Sequence, residues 1–463
     1  MKKTFLTLAL CVCCASPVLA QKAKYVFYII GDGMGLNQVN TTEFYKASVN
    51  GKLGIEPMCF ASFPYTTFAT SHSASSDVTD SAAGGTALST GVKTKNGMLG
   101  MTPDTVAVNG IAYWAKQSGK KVGVCTSVSI DHATPAAFYA HQPNRNNYHE
   151  IGHQLAASGY DYFGGADFLR PVKDGVDVHD VCEKAGYTFA YGYEEAQAKW
   201  KGADKLILVQ TKEAAKKHTT EIPYAIDREP GDLTLSQIVE TGINVLSRNN
   251  KNGFFLMIEG GEIDHGCHAN DAGTTIQEVL DMDEAIKVVY EFYKKHPKET
   301  LIIVTADHET GGMVPGNGRY ELNLQVLQYQ TCSVDKVSKR FEALKKSKMK
   351  TTWEDAKAIL SECYGLFDKV PVSWRDEAEL HAAYEDTFVR NATESNWYGT
   401  NSTLAAKGRD ILNKAAMVSW ASLAHSDGYI PVFAIGVGAE NFHGRLNNID
   451  IPEITAKIAG YKK

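Results

Sequence analysis

The chain has 463 residues, 44% of them hydrophobic and 22% charged, with a formal net charge of -6 at pH 7. This is the composition of a soluble globular protein, with room for one large α/β domain carrying insertions or for about two or three smaller domains. The acidic balance argues against nonspecific nucleic-acid binding, so an anionic substrate has to be held by local positive charge.

Residues 1–20 stand apart. Lys2 and Lys3 precede an apolar run, Phe5 to Cys14, and Val18-Leu19-Ala20 closes the stretch before Gln21. That pattern predicts a signal peptide cleaved after Ala20, and hence export to a periplasm or beyond the cell. The run falls short of the roughly 20 apolar residues of a membrane span, and no later segment is long and apolar enough to be one. Losing the leader removes two lysines and takes the mature chain, 21–463, to about -8.

Further along come short apolar runs rich in β-branched residues, alternating with helical stretches. Tyr25 to Ile30 is followed by Gly31-Asp32-Gly33-Met34-Gly35, and later Ser76 to Ala87 holds Asp80-Ser81-Ala82-Ala83-Gly84-Gly85. A helix is predicted over Val106 to Ser118. Val122 to Val128 is a strand that leads to Asp131-His132-Ala133-Thr134. Leu206 to Val209 is a strand and Leu235 to Arg248 a helix. Phe254 to Ile258 runs into Glu259-Gly260-Gly261-Glu262-Ile263-Asp264-His265-Gly266-Cys267-His268, followed by a helix over Thr274 to Tyr293. Leu301 to Thr305 ends at Ala306-Asp307-His308, and Pro431 to Ile435 is the last strand. Continuous apolar runs are buried on both faces, as in a parallel sheet. Their alternation with helices predicts an α/β fold, an open, mostly parallel central sheet between two helical layers. From about Pro315 to Leu423 the pattern breaks into Lys-, Glu- and Ala-rich sequence, helical at Val334 to Lys346 and Trp353 to Tyr364. This segment is expected to be an inserted, mostly helical subdomain over the site or at a dimer contact.

Acidic groups and histidines thus gather after the carboxyl ends of the strands, the edge where open α/β sheets bind ligands. Any single one has an ordinary reading. A histidine is usually a surface or satisfied core residue, Asp32 suits a turn, and Asp307-His308 suits a strand end. Together in one crevice, however, the carboxylates repel and call for cations. Asp with His suits zinc, while Asp, Glu and Thr oxygens suit magnesium. Asp264 and His268, four apart, share a face of a helical turn. Ser81 opens a helix of small residues that has to approach something closely, and a helix N-terminus favours both an alkoxide and a phosphate. A plain helix cap is its alternative. The mature cysteines, Cys59, Cys125, Cys182, Cys267, Cys332 and Cys363, form no C-x-x-C pair. A cysteine-based zinc site is therefore not expected, and Cys332 with Cys363 is a plausible disulfide.

GDGMG, TDSAAGGTALSTGVK, HATPAAFYAHQPNR, IEGGEIDHGCHAND, VTADHETGG and AHSDGYIPVFAIG occur in that order and resemble the motif set of the alkaline phosphatases, from Lys24 to about Gly436. The resemblance implies hydrolysis of phosphate monoesters through a phosphoserine on Ser81, with two zinc ions and one magnesium ion per chain. One zinc is implied at Asp264, His268 and His425. A second is implied at Asp32, Asp307 and His308, beside Ser81, and magnesium at Asp32, Thr134 and Glu259. Arg145 is implied to clamp two phosphate oxygens with its planar fork. It also implies a homodimer, and inorganic phosphate as a product inhibitor. His132 and His265 depart from the best-known bacterial form and look like the animal enzymes, with histidines around the third metal. Cys267, between two ligands, is read as packing. Sulfatase chemistry is disfavoured because Ala82-Ala83 follow Ser81 where that branch has a C/S-x-P-x-R setting. Diesterase relatives usually carry threonine as nucleophile. A phosphate- or metal-binding protein with no activity would need neither Ser81 nor the acidic cluster.

Overall fold

The computed structural model describes residues 22–463 except 219–220, 319, 348–349 and 396–398; the predicted leader, 1–20, lies outside the described residues. Ten strands form the main sheet. In chain order they are β1 (Tyr25–Gly31), β2 (Tyr65–Thr70), β3 (Lys121–Thr126), β4 (Tyr162–Gly164), β5 (Thr188–Tyr191), β6 (Leu206–Val209), β7 (Phe254–Gly260), β8 (Thr300–Ala306), β9 (Ile430–Gly436) and β10 (Arg445–Asn447). Across the sheet the order is β10-β2-β9-β8-β1-β7-β3-β4-β6-β5. β1, β7 and β8 are buried at every position, as the continuous apolar runs that make up most of each require.

Every neighbouring pair is parallel except the two made by β9, which runs antiparallel to both β8 and β2. The fold is the expected open α/β sheet, and the direction of Pro431 to Ile435 is a correction to the parallel reading. After β8 the chain leaves through Glu309–Thr310 and Val314–Pro315 and comes back through Val418–Ser419 and His425–Ser426, which pair antiparallel with them. The chain therefore returns alongside its own exit, and β9 meets β8 antiparallel. A fully buried strand has the same composition in either direction, so burial alone cannot reveal this. Two boundaries also shift. The helix expected over Val106 to Ser118 spans Ile111–Gln117, because Met101 and Ala107 form a β-bridge and Gly110 caps the start. The strand expected to end at Val128 ends at Thr126.

A second apolar core gathers Leu324, Val337, Phe341, Leu360, Tyr364, Leu404 and Leu412 from the helical region between β8 and β9. It is continued by Tyr45 of helix Leu36–Val49 and by Ala272 and Ile276 of helix Ala272–Lys295. Both of those helices follow strand ends at the ligand-binding edge. Within this region Cys332 Sγ and Cys363 Sγ lie 3.1 Å apart and buried. Among the described residues no helix is long and apolar enough to cross a membrane.

One ion-pair cluster away from the site makes stability depend on pH. His179 Nε2 is 2.9 Å from Asp167 and its Nδ1 is 2.8 Å from Asp177. Burial opposes the charge, but these pairs prevail and raise the imidazole to about 9. A raised folded pKa means the contribution is fully present below the ordinary value near 6.5 and is lost as pH climbs through about 9. With solvent screening discounted, it amounts to about 1 kcal/mol. His179→Gln should flatten that part of the denaturation-midpoint profile between pH 6 and 9.5; an unchanged slope refutes the assignment.

Candidate active site

Register brings the chemistry together. Ile30 pairs with both Glu259 and Thr305, and Gly31 pairs with Ala306. Asp32, Glu259 and Asp307 therefore leave three adjacent strands within two residues of one another. Thr126 pairs with Glu259 on the other side and gives its hydroxyl to that carboxylate. Asp264 and His268 lie on the turn of helix Glu262–His268 just after β7, with His268 Nε2 3.3 Å from Asp264 Oδ2. His425 arrives from the antiparallel return, its Nε2 3.7 Å from Asp264 Oδ1 and 3.0 Å from His268 Nε2. Its ring stacks on that of His308 at 3.7 Å.

Ser81 is the first residue of helix Ser81–Thr90, capped by Asp80, which accepts from Ala83 N. A capping carboxylate at this point complements the helix dipole. Ser81 Oγ is 3.2 Å from His308 Nε2. The small residues after it have a steric purpose. A Cβ on Gly84 would lie 3.0 Å from Asp307 O, and one on Gly85 3.2 Å from Thr134 Cα. Gly84→Ala should therefore push Ser81 away from Asp307. The expected result is a loss of about 1–3 kcal/mol in stability and a fall of roughly 100-fold in kcat. A wild-type kcat would show that this close approach does not position Ser81.

The electrostatics are those of a site built for cations. Asp32, Glu259, Asp264 and Asp307 are all fully buried. Burial first, then the neighbouring carboxylates, raises Asp32, Glu259 and Asp307 above the usual range. Asp264 goes the other way: against burial, His268, His425 and His308 hold it well below. Asp32 Oδ1 is 3.3 Å from His308 Nε2, yet neither it nor Glu259 Oε1 takes a hydrogen bond from a described residue. Buried anionic oxygens without donors are costly unless a cation meets them.

At this sheet edge, three groupings of described residues have ligand atoms within 4.8 Å of one another: Asp264 with His308 and His425, Asp32 with Asp307 and His308, and Asp32 with His132 and Glu259. Thr134 Oγ1 adds bonds of 3.3 Å to Asp32 and 3.2 Å to Asp307. The residues present thus fit metal ions by donor type and by want of partners. Arg145 reaches the same cleft, Nη1 3.4 Å from Asp80 Oδ2 and Nη2 3.3 Å from His132 Nε2. The cleft has a volume of about 590 Å³, and its lining includes Thr79, Asn96, Arg145, Tyr148 and His425. His132, expected only around the third metal, brings a ring nitrogen into the Asp32–Glu259 grouping. The ring of His265 meets that of His132 edge-on, centroids 5.8 Å apart, and its Nδ1 lies 2.9 Å from Glu262. Cys267 packs, its Sγ 3.8 Å from Thr275 Oγ1, with burial raising its thiol.

Some participants escape a reading of the motifs. Thr310 Oγ1 donates to Asp264 at 2.5 Å and sits 3.2 Å from His308 Nδ1. Its only sequence signal is its place three residues after Asp307. Asp80 both caps the Ser81 helix and pairs with Arg145, although beside a serine it reads only as a cap. Gln38 and Glu309 tie helix Leu36–Val49 to the segment carrying His308, and no spacing reveals that pair.

Residues 23–167 and 216–461 match the family model described as alkaline phosphatase. The chain is similar to alkaline phosphatase 4 of Bacillus subtilis, at 30% identity over 454 residues, covering 94% of this chain and 88% of that protein. Its fold resembles the crystal structure of the cold-active alkaline phosphatase of the psychrophile Shewanella sp., with a TM-score of 0.80 and 26% identity over 94% of this chain and 99% of that one. It also resembles a mutant of the TAB5 alkaline phosphatase solved with Mg bound in its M3 site, with a TM-score of 0.66 and 26% identity, covering 96% of this chain and all of that one.

Proposed function

This chain belongs to the alkaline phosphatase family, and on that premise we propose that Ser81 is the nucleophile of its metal-dependent hydrolysis of phosphate monoesters. The family reaction passes through a phosphoserine and yields an alcohol and inorganic phosphate. The observation that carries the assignment is Ser81 Oγ at a helix start, 3.2 Å from His308 Nε2 and facing the buried carboxylate cluster.

In this reading Ser81 Oγ bonds to phosphorus as the ester oxygen leaves with a proton as the alcohol. Water then displaces Ser81 from phosphorus, restoring the hydroxyl and releasing phosphate. The helix that begins at Ser81 places its N-terminal N–H groups toward the phosphoryl oxygens. Arg145 would hold two of those oxygens, its fork aimed by Asp80. The same fork grips the product, which supports inhibition by inorganic phosphate. Two zinc ions and one magnesium ion fit the donors: Asp264, His268 and His425 for one zinc; Asp32, Asp307 and His308, beside Ser81, for the other; and Asp32, Thr134 and Glu259 for magnesium, with His132 at its edge. When bound, such ions supply Lewis acidity to the serine, the leaving oxygen and the water. The leader at 1–20 supports export to a periplasm or the exterior, and the family supports a homodimer.

The test compares an aryl phosphate monoester, the corresponding diester and the sulfate at mildly alkaline pH. Monoester turnover should exceed the other two by about 10³-fold or more. Faster diester or sulfate turnover would move the protein to another chemistry on the same scaffold.

A further inference from the structure

A second acidic pocket lies beyond the residues given roles above. Glu221, Glu262 and His265 each bring a ligand atom within 4.8 Å of the other two. His265 Nδ1 is 2.9 Å from Glu262 Oε2 and 3.9 Å from Glu221 Oε1. These separations bracket the about 3.3 Å expected between two ligands of a tetrahedral ion with bonds of roughly 2.0–2.1 Å. Glu221 and Glu262 border a cavity of about 200 Å³ that Tyr224, Asp335 and Lys336 also line, and His265 stands behind Glu262.

We propose that this pocket is a fourth divalent-cation site, of the zinc or manganese class, held by Glu221, Glu262 and His265 with Asp335 as a further oxygen donor. Glu262 is 2% exposed. One of its oxygens meets His265, while Oε1 takes no hydrogen bond from a described residue, and the same is true of the buried Asp335 Oδ1. Lys336 spends its Nζ on Asp227 O at 3.1 Å. A proton on His265 Nδ1 satisfies one oxygen of this cluster; a dication meets several at once. An imidazole among carboxylates favours zinc or manganese over the harder calcium and magnesium.

The donors come from three places. Glu262 opens the helix that carries Asp264 and His268, its N–H held with that of Gly261 on Ser127 Oγ. Glu221 lies in the segment after β6, and Asp335 on helix Val334–Ser347 of the region between β8 and β9. A bound ion therefore ties that region to the helix bearing two of the residues proposed above for zinc. Its presence does not depend on the roles proposed for Ser81 or the catalytic metals.

Full-length mature protein is loaded with zinc, and in a parallel arm with manganese, gel-filtered, and its metal content counted by plasma mass spectrometry. Crystals give anomalous maps at the metal edge. The expected result is a peak between Glu221, Glu262 and His265, with one equivalent per chain missing from Glu262→Gln while peaks at Asp32 and Asp264 stay. Glu221→Gln, altering a half-exposed side chain, should lose the same equivalent should Glu262→Gln fail to fold. No peak at the cluster in metal-loaded protein, or equal metal content in wild type and a folded variant, overturns the proposal. Missing peaks at Asp32 and Asp264 would instead count against the active-site assignment and leave the cluster's own peak decisive.

Discussion

Ser81→Ala should lower turnover of an aryl phosphate monoester by about 10⁴-fold or more, equivalent to roughly 5.5 kcal/mol of transition-state stabilisation. Phosphate affinity should change far less, by about threefold, because Arg145 and the acidic cluster with its metals remain. Alanine keeps the helix start intact, since the cap belongs to Asp80 and alanine is a good helix former. The measurement pairs steady-state kinetics with phosphate binding by calorimetry. Rapid quench with labelled substrate should capture phosphoserine on the wild type and none on the variant. Activity within tenfold of wild type would mean that another group attacks phosphorus, and the role of Ser81 would reduce to capping or contact.

Metal removal is the second large effect, and it should reach the fold as well as the chemistry. Exhaustive chelation should cut activity by about 10³-fold or more, recovered by zinc with magnesium. It should also lower the thermal midpoint by on the order of 10 °C, as ligands that bind only the folded state do when withdrawn. The stripped protein should have its own pH signature. Asp32, Glu259 and Asp307 have carboxyls raised by burial first and then by neighbouring carboxylates, Asp264 among them. The protonated forms favour folding, so their contribution is fully present below about pH 4, the ordinary carboxylate value. It is lost as pH rises through the raised values. Chelated protein should thus melt lower at pH 8.5 than at pH 5, while metal-loaded protein shows no such loss. Equal midpoints with and without chelator at pH 8.5 would mean that cations do not balance the cluster.

The elements with the most uniform burial were the most legible. Tyr25 to Ile30, Leu206 to Val209, Phe254 to Ile258 and Leu301 to Val304 are unbroken apolar runs, and the polar residues just after them carry most of the candidate ligands. β2, with sequence Tyr-Thr-Thr-Phe-Ala-Thr and mostly exposed, leaves no such trace, nor do the three-residue strands β4 and β10. A short or exposed strand is set by the neighbour it pairs with. At the site, Asp264 with His268 is a local relation that one helical turn guarantees. The stacking of His425 on His308 joins residues more than a hundred positions apart, and only the antiparallel return through Glu309–Thr310 and His425–Ser426 brings it about.

From its order of residues alone, this protein shows its layered α/β class, the edge of the sheet that carries chemistry, and the residue types gathered there, because periodicity and strand-end position are local properties of the chain. The direction of β9, the pairing of Asp80 with Arg145, the contact of Thr310 with Asp264, the turn of His265 toward Glu262 and Glu221, and the meeting of Asp335 with that pair are settled only in three dimensions. Each depends on which distant segments pack against one another, and on which buried carboxylates are left facing without donors.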